Sequence, residues 1–175
     1  AYGAVRLPAV RAERDAAPLL RVGLVPPFFT VEDRRDSLLR GPQHRLLLAM
    51  TREVEGAGVD LVTWPESAYA FGWARTRTRD GVGEPAVLDE GVRGPIVFGA
   101  ITHDRTGRRN SVIAMGDDGR VVGRADKVRL MPFGEYVPLY DVLPEEIQRR
   151  FSRGLVPGER PTTLSVAGAT LGALN

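Results

Sequence analysis

A short apolar segment, an amphipathic helix and a second apolar segment follow one another early in the chain, and this succession constrains the fold most. Residues 20–25 form the first segment, which ends at Pro26-Pro27, and residues 59–64 ("VDLVTW") form the second. Between them apolar side chains recur at helical spacing, at Leu46, Leu47, Met50 and Val54. A strand, a helix and a strand in this order predict a parallel crossover unit with a buried sheet, and therefore an α/β fold.

Further strands are predicted downstream, where apolar runs alternate with turn residues. Residues 95–101 ("PIVFGAI") and 110–115 ("NSVIAM") predict two buried strands, and a return strand begins at residues 120–123 after the turn Asp117-Asp118-Gly119. Residues 163–174 predict a final hairpin with its turn at Ala167-Gly168.

The segments between these elements are predicted to be irregular. Residues 1–19 are rich in Ala, Arg and Pro and are interpreted as a linker. Residues 72–94 are interpreted as a loop, with a short helix inside it as an alternative. Residues 124–161 predict a long loop with a short helix at residues 145–151. Long loops inside compact domains are often functional, so this segment is a candidate for the site.

The chain length fits one domain. The last predicted strand runs to Asn175 without a polar tail, whereas domains rarely end on an apolar core strand. We therefore expect residues 20–175 to form part of a domain that continues, preceded by the linker of residues 1–19.

Composition excludes several kinds of site. The formal net charge is only +2 and the arginines are spread along the chain, which does not indicate a nucleic-acid partner. The chain has no cysteine, and His44 and His103 have no metal-ligand spacing, so neither a metal nor a cofactor is expected. No run of eighteen apolar residues occurs, so nothing in the sequence predicts a membrane-spanning helix.

Glu66 is the first candidate catalytic residue. It follows Trp64 and Pro65, which end the second strand, so it lies at the carboxyl end of a buried strand, where α/β sheets bind ligands. A desolvated carboxylate there is suited to a general base. From the residues alone, a salt bridge on the surface is the simpler interpretation.

Two further candidates lie in the segment "ADKVRLMPFGEYVPL". Lys127 is the only lysine among 24 Lys+Arg residues, and beside a carboxylate it could stabilise an oxyanion. The alternative is a solvated lysine packed on Phe133 or Tyr136. Glu135 follows Gly134, which permits close backbone approach or an unusual dihedral angle, and it is either a buried functional carboxylate or a loop-fixing one.

These motifs together resemble a known family. "WPE" at a strand end, followed by "NSVIAMGDDGRVVGRADKVRLMPFGEYVPL", is similar to the nitrilase (carbon–nitrogen hydrolase) superfamily. The stretch "KVRLMPFGEYVP" resembles the signature of apolipoprotein N-acyltransferases, and the "AYGAVRL" opening resembles the segment that leaves their membrane bundle.

The resemblance implies a fold, a site and a reaction. The fold is an α-β-β-α sandwich, incomplete at its C-terminus, with a Glu-Lys-Cys triad. By motif position Glu66 matches the general base, Lys127 the catalytic lysine and Glu135 an additional glutamate, while the cysteine is expected just beyond Asn175. The implied reaction transfers an acyl chain from a phospholipid to the N-terminal diacylglyceryl-cysteine of lipoproteins, on the periplasmic side of the bacterial inner membrane.

Two departures from the family pattern leave alternatives open. The cysteine is missing, so the chain by itself is expected to be inactive, and Val25-Pro26-Pro27-Phe28-Phe29 stands where a polar "Q-x-N"-like segment is expected. The alternatives are a soluble amidase or nitrilase of the same superfamily, against which the "PFGEYVP" loop argues, and a catalytically dead module that binds lipid or protein.

Overall fold

The computed structural model describes residues 2–81, 83–89, 91–149 and 152–173. The helices are α1 (Tyr2–Ala16), α2 (Val31–Arg35), α3 (Arg40–Gly56) and α4 (Glu145–Gln148). The strands are β1 (Val22–Leu24), β2 (Leu61–Thr63), β3 (Tyr69–Ala74), β4 (Ile96–Asp104), β5 (Gly107–Met115), β6 (Val121–Asp126), β7 (Thr163–Val166) and β8 (Ala169–Gly172). Single 3₁₀ turns occur at Ser37–Leu39 and Tyr140–Val142.

Six strands form one mixed sheet. Five of them lie in the order β1-β2-β4-β5-β6, and the sixth, β3, pairs with β4. β1, β2 and β4 are mutually parallel, which confirms the predicted crossover unit, and α3 is its connecting helix. β4, β5 and β6 are antiparallel neighbours. β7 and β8 form a separate two-stranded sheet, as predicted for the final hairpin.

Apolar side chains fill both faces of the main sheet. On one face, Leu47 and Leu48 of α3 pack with Phe98, Ile113, Trp64 after β2 and the aromatic residues of β3. On the other, Leu164 and Val166 of β7 pack over Ala114 and Ala125. Helix, sheet and hairpin are three layers of the predicted α-β-β-α sandwich.

In the segment interpreted as a linker, residues 2–16 form the helix α1, which the sequence analysis did not predict. Ala, Arg, Leu and Glu favour a helix by intrinsic propensity. None of the residues of α1 is buried, so the helix has no face packed on the core, which is the usual source of a clear periodic pattern. That this segment links the domain to a preceding region stays a prediction.

The predicted loop at residues 72–94 was wrong at its start, because β3 extends to Ala74. Gly72 has a φ of +57° and the β3–β4 register shifts between Tyr69 and Trp73, so the strand carries an irregularity that resembles a break in the sequence. Burial of Tyr69 and Trp73 holds it in the sheet despite the glycine.

The other predicted elements are present with shifted ends. β1 and β2 are each three residues long, and the short helix predicted at residues 145–151 ends at Gln148. Position 151 and the end of the last predicted strand, at residue 174, lie outside the described residues. Within the described ranges, no helix is both long enough and apolar enough to cross a membrane.

We predict that Thr51→Val destabilises the fold. Thr51 is fully buried on α3, where its hydroxyl donates to Leu47 O (2.7 Å) and accepts from Trp64 Nε1 (2.8 Å). Valine keeps the shape but leaves the buried indole N–H without an acceptor, at a cost of about 1–3 kcal/mol. Urea unfolding followed by tryptophan fluorescence measures the change.

The matched control is Thr170→Val at an exposed position of β8, which we expect to change stability by less than about 0.5 kcal/mol. Equal unfolding midpoints for the two variants would show that the hydrogen bond from Trp64 contributes nothing.

Candidate active site

Glu66 is positioned by the exit of the chain from β2. Pro65 follows the strand, and the backbone of residues 65–67 then crosses β4 at Gly99. A Cβ at Gly99 would lie 2.7 Å from Glu66 Cα and 2.5 Å from Ser67 N, distances that only glycine permits. Ser67, at the end of this crossing, has a left-handed backbone conformation with φ of 53°. Sequence reasoning did not identify the role of Gly99.

Lys127 is positioned by the end of β6. Its backbone N–H donates to Asn110 O (2.8 Å), and its carbonyl accepts from Gly158 N (2.9 Å). Gly158 lies so close to the strand that a Cβ there would be 2.7 Å from Asp126 O. The long predicted loop therefore fastens the lysine to the sheet edge.

Glu135 is held by a tight turn of the same loop. Its backbone N–H donates to Met131 O, and its side-chain Oε2 accepts from Met131 N, both at 2.8 Å. The left-handed residue is Phe133, with φ of 62°, rather than Gly134. At Gly134 a Cβ would meet the side chain of Met131, with Sδ at 3.0 Å, so neither the close backbone approach nor the unusual dihedral angle expected there is observed.

These three side chains converge on one point. Lys127 Nζ lies 3.1 Å from Glu66 Oε1 and 3.1 Å from Glu135 Oε1. The ammonium group thus bridges the two carboxylates that the sequence analysis selected. Lys127 is therefore not a solvated lysine, whereas Glu135 both pairs with Lys127 and accepts from Met131 N, as expected of a loop-fixing glutamate.

Asn110, at the start of the predicted strand "NSVIAM", is a fourth member of the cluster that sequence reasoning missed. Its Nδ2 donates to Glu66 Oε1 (2.5 Å) and to Glu135 Oε1 (3.3 Å), and the residue is only 3% exposed. The amide orientation follows from these two acceptors. The predicted turn at Asp117-Asp118-Gly119 is the sequence feature that could have identified this residue, because the hairpin it forms places Asn110 beside Lys127 across β5 and β6.

The electrostatics of the site favour a charged lysine. Burial lowers the pKa of Lys127, but hydrogen bonds to Glu135 and Glu66 and the charges of both carboxylates outweigh it and raise the pKa above its ordinary value. Burial raises the pKa of Glu135, but the Met131 N–H, Lys127 and Asn110 together hold it below its ordinary value. The pair is therefore an ammonium and a carboxylate near neutral pH.

Exposure distinguishes the two carboxylates. The side chain of Glu66 is 51% exposed, whereas those of Glu135 and Lys127 are 15% and 14% exposed. Glu66 can therefore reach a reactant, while Glu135 is enclosed behind the ammonium. Within the described residues no cluster of His, Cys, Asp or Glu side chains is suited to hold a metal ion.

Comparisons with known proteins agree in sequence and in fold. The apolipoprotein N-acyltransferase of Sinorhizobium medicae is 35% identical over 153 residues, which cover 82% of this chain and 28% of that protein. The apolipoprotein N-acyltransferase of Synechocystis sp. is 35% identical over 109 residues, covering 61% of this chain and 20% of that one. No protein-family model matches the chain. The chain thus spans less than a third of the curated relatives it matches.

The fold matches solved structures at low sequence identity. A variant of the amidase from Nesterenkonia sp. AN1 superposes with a TM-score of 0.54 at 18% identity, over 89% of this chain and 55% of that one. Another variant of this amidase, described as from the nitrilase superfamily, has a TM-score of 0.52 at 18% identity, over 91% of this chain and 57% of that one. The chain is related in sequence to the apolipoprotein N-acyltransferases, and it has the fold of the nitrilase-superfamily amidase. The predicted fold class is confirmed.

We predict that Glu135→Gln lowers the pKa of Lys127, because the enclosed carboxylate stabilises the ammonium. Lys127 is the only lysine, so ¹³C-lysine labelling gives one side-chain signal whose shift with pH reports its pKa. Since the folded pKa of Lys127 is raised, the stabilisation by this ion pair is complete below the ordinary lysine pKa and is lost as pH rises through the raised value.

The control is Glu146→Gln, at an exposed position of α4, which we expect to leave the lysine signal unchanged. A wild-type titration at or below the pKa of free lysine would contradict the ion-pair assignment.

Proposed function

We propose that this chain is part of the catalytic domain of an apolipoprotein N-acyltransferase. In this proposal the whole protein moves an acyl chain from a phospholipid to the N-terminal diacylglyceryl-cysteine of a lipoprotein. The observation that carries it is the bridge of Lys127 between Glu66 and Glu135, with both nitrogen-to-oxygen distances at 3.1 Å. The sequence relationship to apolipoprotein N-acyltransferases supports the choice of reaction.

The nucleophile in this mechanism is a cysteine that we place after Asn175. The chain itself contains no cysteine, so we propose that residues 1–175 alone do not complete the reaction. One solved variant of the Nesterenkonia amidase carries the acetamide moiety of fluoroacetamide covalently on its active-site cysteine. A cysteine thiol needs a base to become a thiolate and a nearby positive charge to stabilise that thiolate. In this proposal Glu66 is the base and Lys127 provides the positive charge.

In the first half-reaction Glu66 takes the thiol proton and the thiolate attacks the ester carbonyl carbon of the phospholipid. Lys127 stabilises the oxyanion that forms on the carbonyl oxygen. The carbon–oxygen ester bond then breaks, the departing alkoxide takes the proton from Glu66, and lysophospholipid leaves a thioester on the enzyme. Glu135 and Asn110 hold the ammonium and the base in place throughout.

In the second half-reaction the α-amino group of the lipoprotein attacks the thioester carbonyl. The amine gives a proton to Glu66, the carbon–sulfur bond breaks, and the thiolate recovers a proton from the glutamate. The product is an amide, and the enzyme returns to its starting state. The same base and oxyanion site thus serve both halves of a ping-pong cycle.

Surface character near the site supports a lipid substrate. Met131, Phe133 and Leu139, from the loop that holds Glu135, are 62%, 83% and 77% exposed. Apolar side chains grouped on an exposed loop are suited to contact acyl chains. We propose that the domain faces the periplasm and is held at the inner membrane by other parts of the protein.

We predict that Glu66→Gln abolishes acyl-enzyme formation in the whole protein, because the amide cannot accept the thiol proton. Intact-protein mass spectrometry after incubation with phospholipid detects the added acyl mass. The control is Glu32→Gln on α2, an exposed position. Acylation of the Glu66 variant at the wild-type rate would remove this residue from the role of base.

We also predict that Lys127→Arg fails in the same assay although it keeps the positive charge. The planar guanidinium is larger than an ammonium group and does not fit between carboxylates whose oxygens lie 3.1 Å from Nζ. Arg129→Lys, at an exposed position two residues away, is the matched control. Normal acylation by the Lys127 variant would make the lysine a structural residue.

A further inference from the structure

A cationic groove begins directly beside the candidate base. The cavity, of about 760 Å³, is lined from Ser67, which follows Glu66 in the chain, along β3 to Gly72. Arg34 of α2, Arg40 of α3 and Arg108 of β5 also line it. We use the name cationic groove for this cavity with its three arginines. Its volume is in the range of about 300–1,000 Å³ that is typical of small-molecule sites.

The three arginines of the cationic groove differ in their contacts from other arginines of the chain. In the described part of the chain, none of their guanidinium groups donates a hydrogen bond or forms an ion pair, whereas Arg75 and Arg77 are held by aspartates. Among the described residues of the lining, Glu84 is the only acidic one, so these residues carry an excess of positive charge. A guanidinium group can donate two parallel hydrogen bonds to two oxygens of one phosphate, so these arginines are suited to bind a phosphate group.

The cationic groove is connected to the active site through the sheet. Ile101, which lines the groove, pairs with Asn110 in the β4–β5 ladder, and Asn110 donates to Glu66 Oε1 (2.5 Å). Ser67, which also lines the groove, directly follows Glu66 in the chain. The groove therefore adjoins the backbone that carries the candidate base.

Part of the lining of the groove is apolar. Phe29, Phe71 and Ile101 line it together with the arginines. A ligand with an anionic group and an adjoining hydrocarbon part would match both the arginines and these apolar side chains. The segment "VPPFF", which contains Phe29, is the one that departs from the polar sequence expected after the first strand.

A glycerophospholipid has this combination at a suitable spacing. Its ester carbonyl carbon is separated from the phosphorus by about five or six bonds, which extends over roughly 6–8 Å at ordinary bond lengths. An ester carbonyl placed at Glu66 and Lys127 would leave its phosphate within this distance, and the groove begins at Ser67, the residue after Glu66.

We propose that the cationic groove binds the phosphodiester of the acyl donor, with Arg34, Arg40 and Arg108 as its phosphate ligands. The inference rests on the proposed function for the identity of the donor. In this proposal the cationic groove recognises the phosphate, and the catalytic cluster of Glu66, Lys127 and Glu135 does not.

The test measures binding in the whole protein carrying Glu66→Gln, so that turnover does not interfere. The probe is dihexanoyl-phosphatidylglycerol, a short-chain phospholipid, titrated by calorimetry. The triple variant Arg34→Gln, Arg40→Gln, Arg108→Gln is expected to raise the Kd at least about tenfold, and added salt to raise the Kd of the parent protein. Dihexanoylglycerol, which lacks the phosphate, should bind both proteins equally weakly.

The matched control is Arg35→Gln with Arg105→Gln, since these arginines lie on α2 and in the β4–β5 turn and do not line the groove. Arg108→Gln alone, at an exposed position of the hairpin, is the second variant if the triple variant does not fold. An unchanged Kd in a folded groove variant overturns the proposal. Inorganic phosphate binding as tightly as the phospholipid would overturn the lipid assignment in favour of free phosphate.

The outcome separates this proposal from the proposed function. Acyl transfer by the whole protein with an unchanged KM for phospholipid in the triple variant would reject the groove and retain the function. A raised Kd in the triple variant, in a protein that never forms an acyl-enzyme, would retain the groove as a phospholipid site and reject the function.

Discussion

The ammonium group of Lys127 holds together segments that are far apart in the chain. It bridges Glu66, after β2, and Glu135, in the loop after β6, at 3.1 Å each. Two carboxylates this close would repel one another without a cation between them. The ion pairs therefore determine where the 128–143 segment lies against the sheet, as well as the charge state of the site.

Close backbone contacts make this arrangement possible. Gly99 lets the chain carrying Glu66 lie directly on β4, and Gly158 lets the returning loop lie directly on the end of β6. A side chain at either position would separate the layers by several tenths of an ångström or more. These two glycine positions fix the distance between backbone segments. They therefore constrain the geometry of the site more tightly than contacts between flexible side chains do.

Much of the fold and of the site could be predicted from sequence because the signals are local. The crossover unit followed from helical spacing and short apolar runs, and Glu66, Lys127 and Glu135 followed from motifs. Asn110, Gly99 and β3 could not be identified in this way. Their roles depend on which strands become neighbours and at what register, and a single sequence does not contain that information directly.

Side chains on both faces of the β5–β6 hairpin help to position Lys127. Successive side chains of a strand point to opposite faces, so Asn110 and Lys127 share one face while Ser111 and Asp126 share the other. On that second face Asp126 accepts from Ser111 (2.6 Å) and from Arg75 of the loop after β3 (2.8 Å).

These contacts fix Asp126, the residue immediately before Lys127, to two neighbouring elements. Burial raises the pKa of Asp126, but the hydrogen bonds from Arg75 and Ser111 lower it below its ordinary value, so the carboxylate stays charged and the bonds persist. The backbone of Lys127 therefore starts from an anchored position, and its side chain needs little ordering to reach both glutamates. Such preorganisation is what an oxyanion site requires, since its donors must already be in place when charge develops.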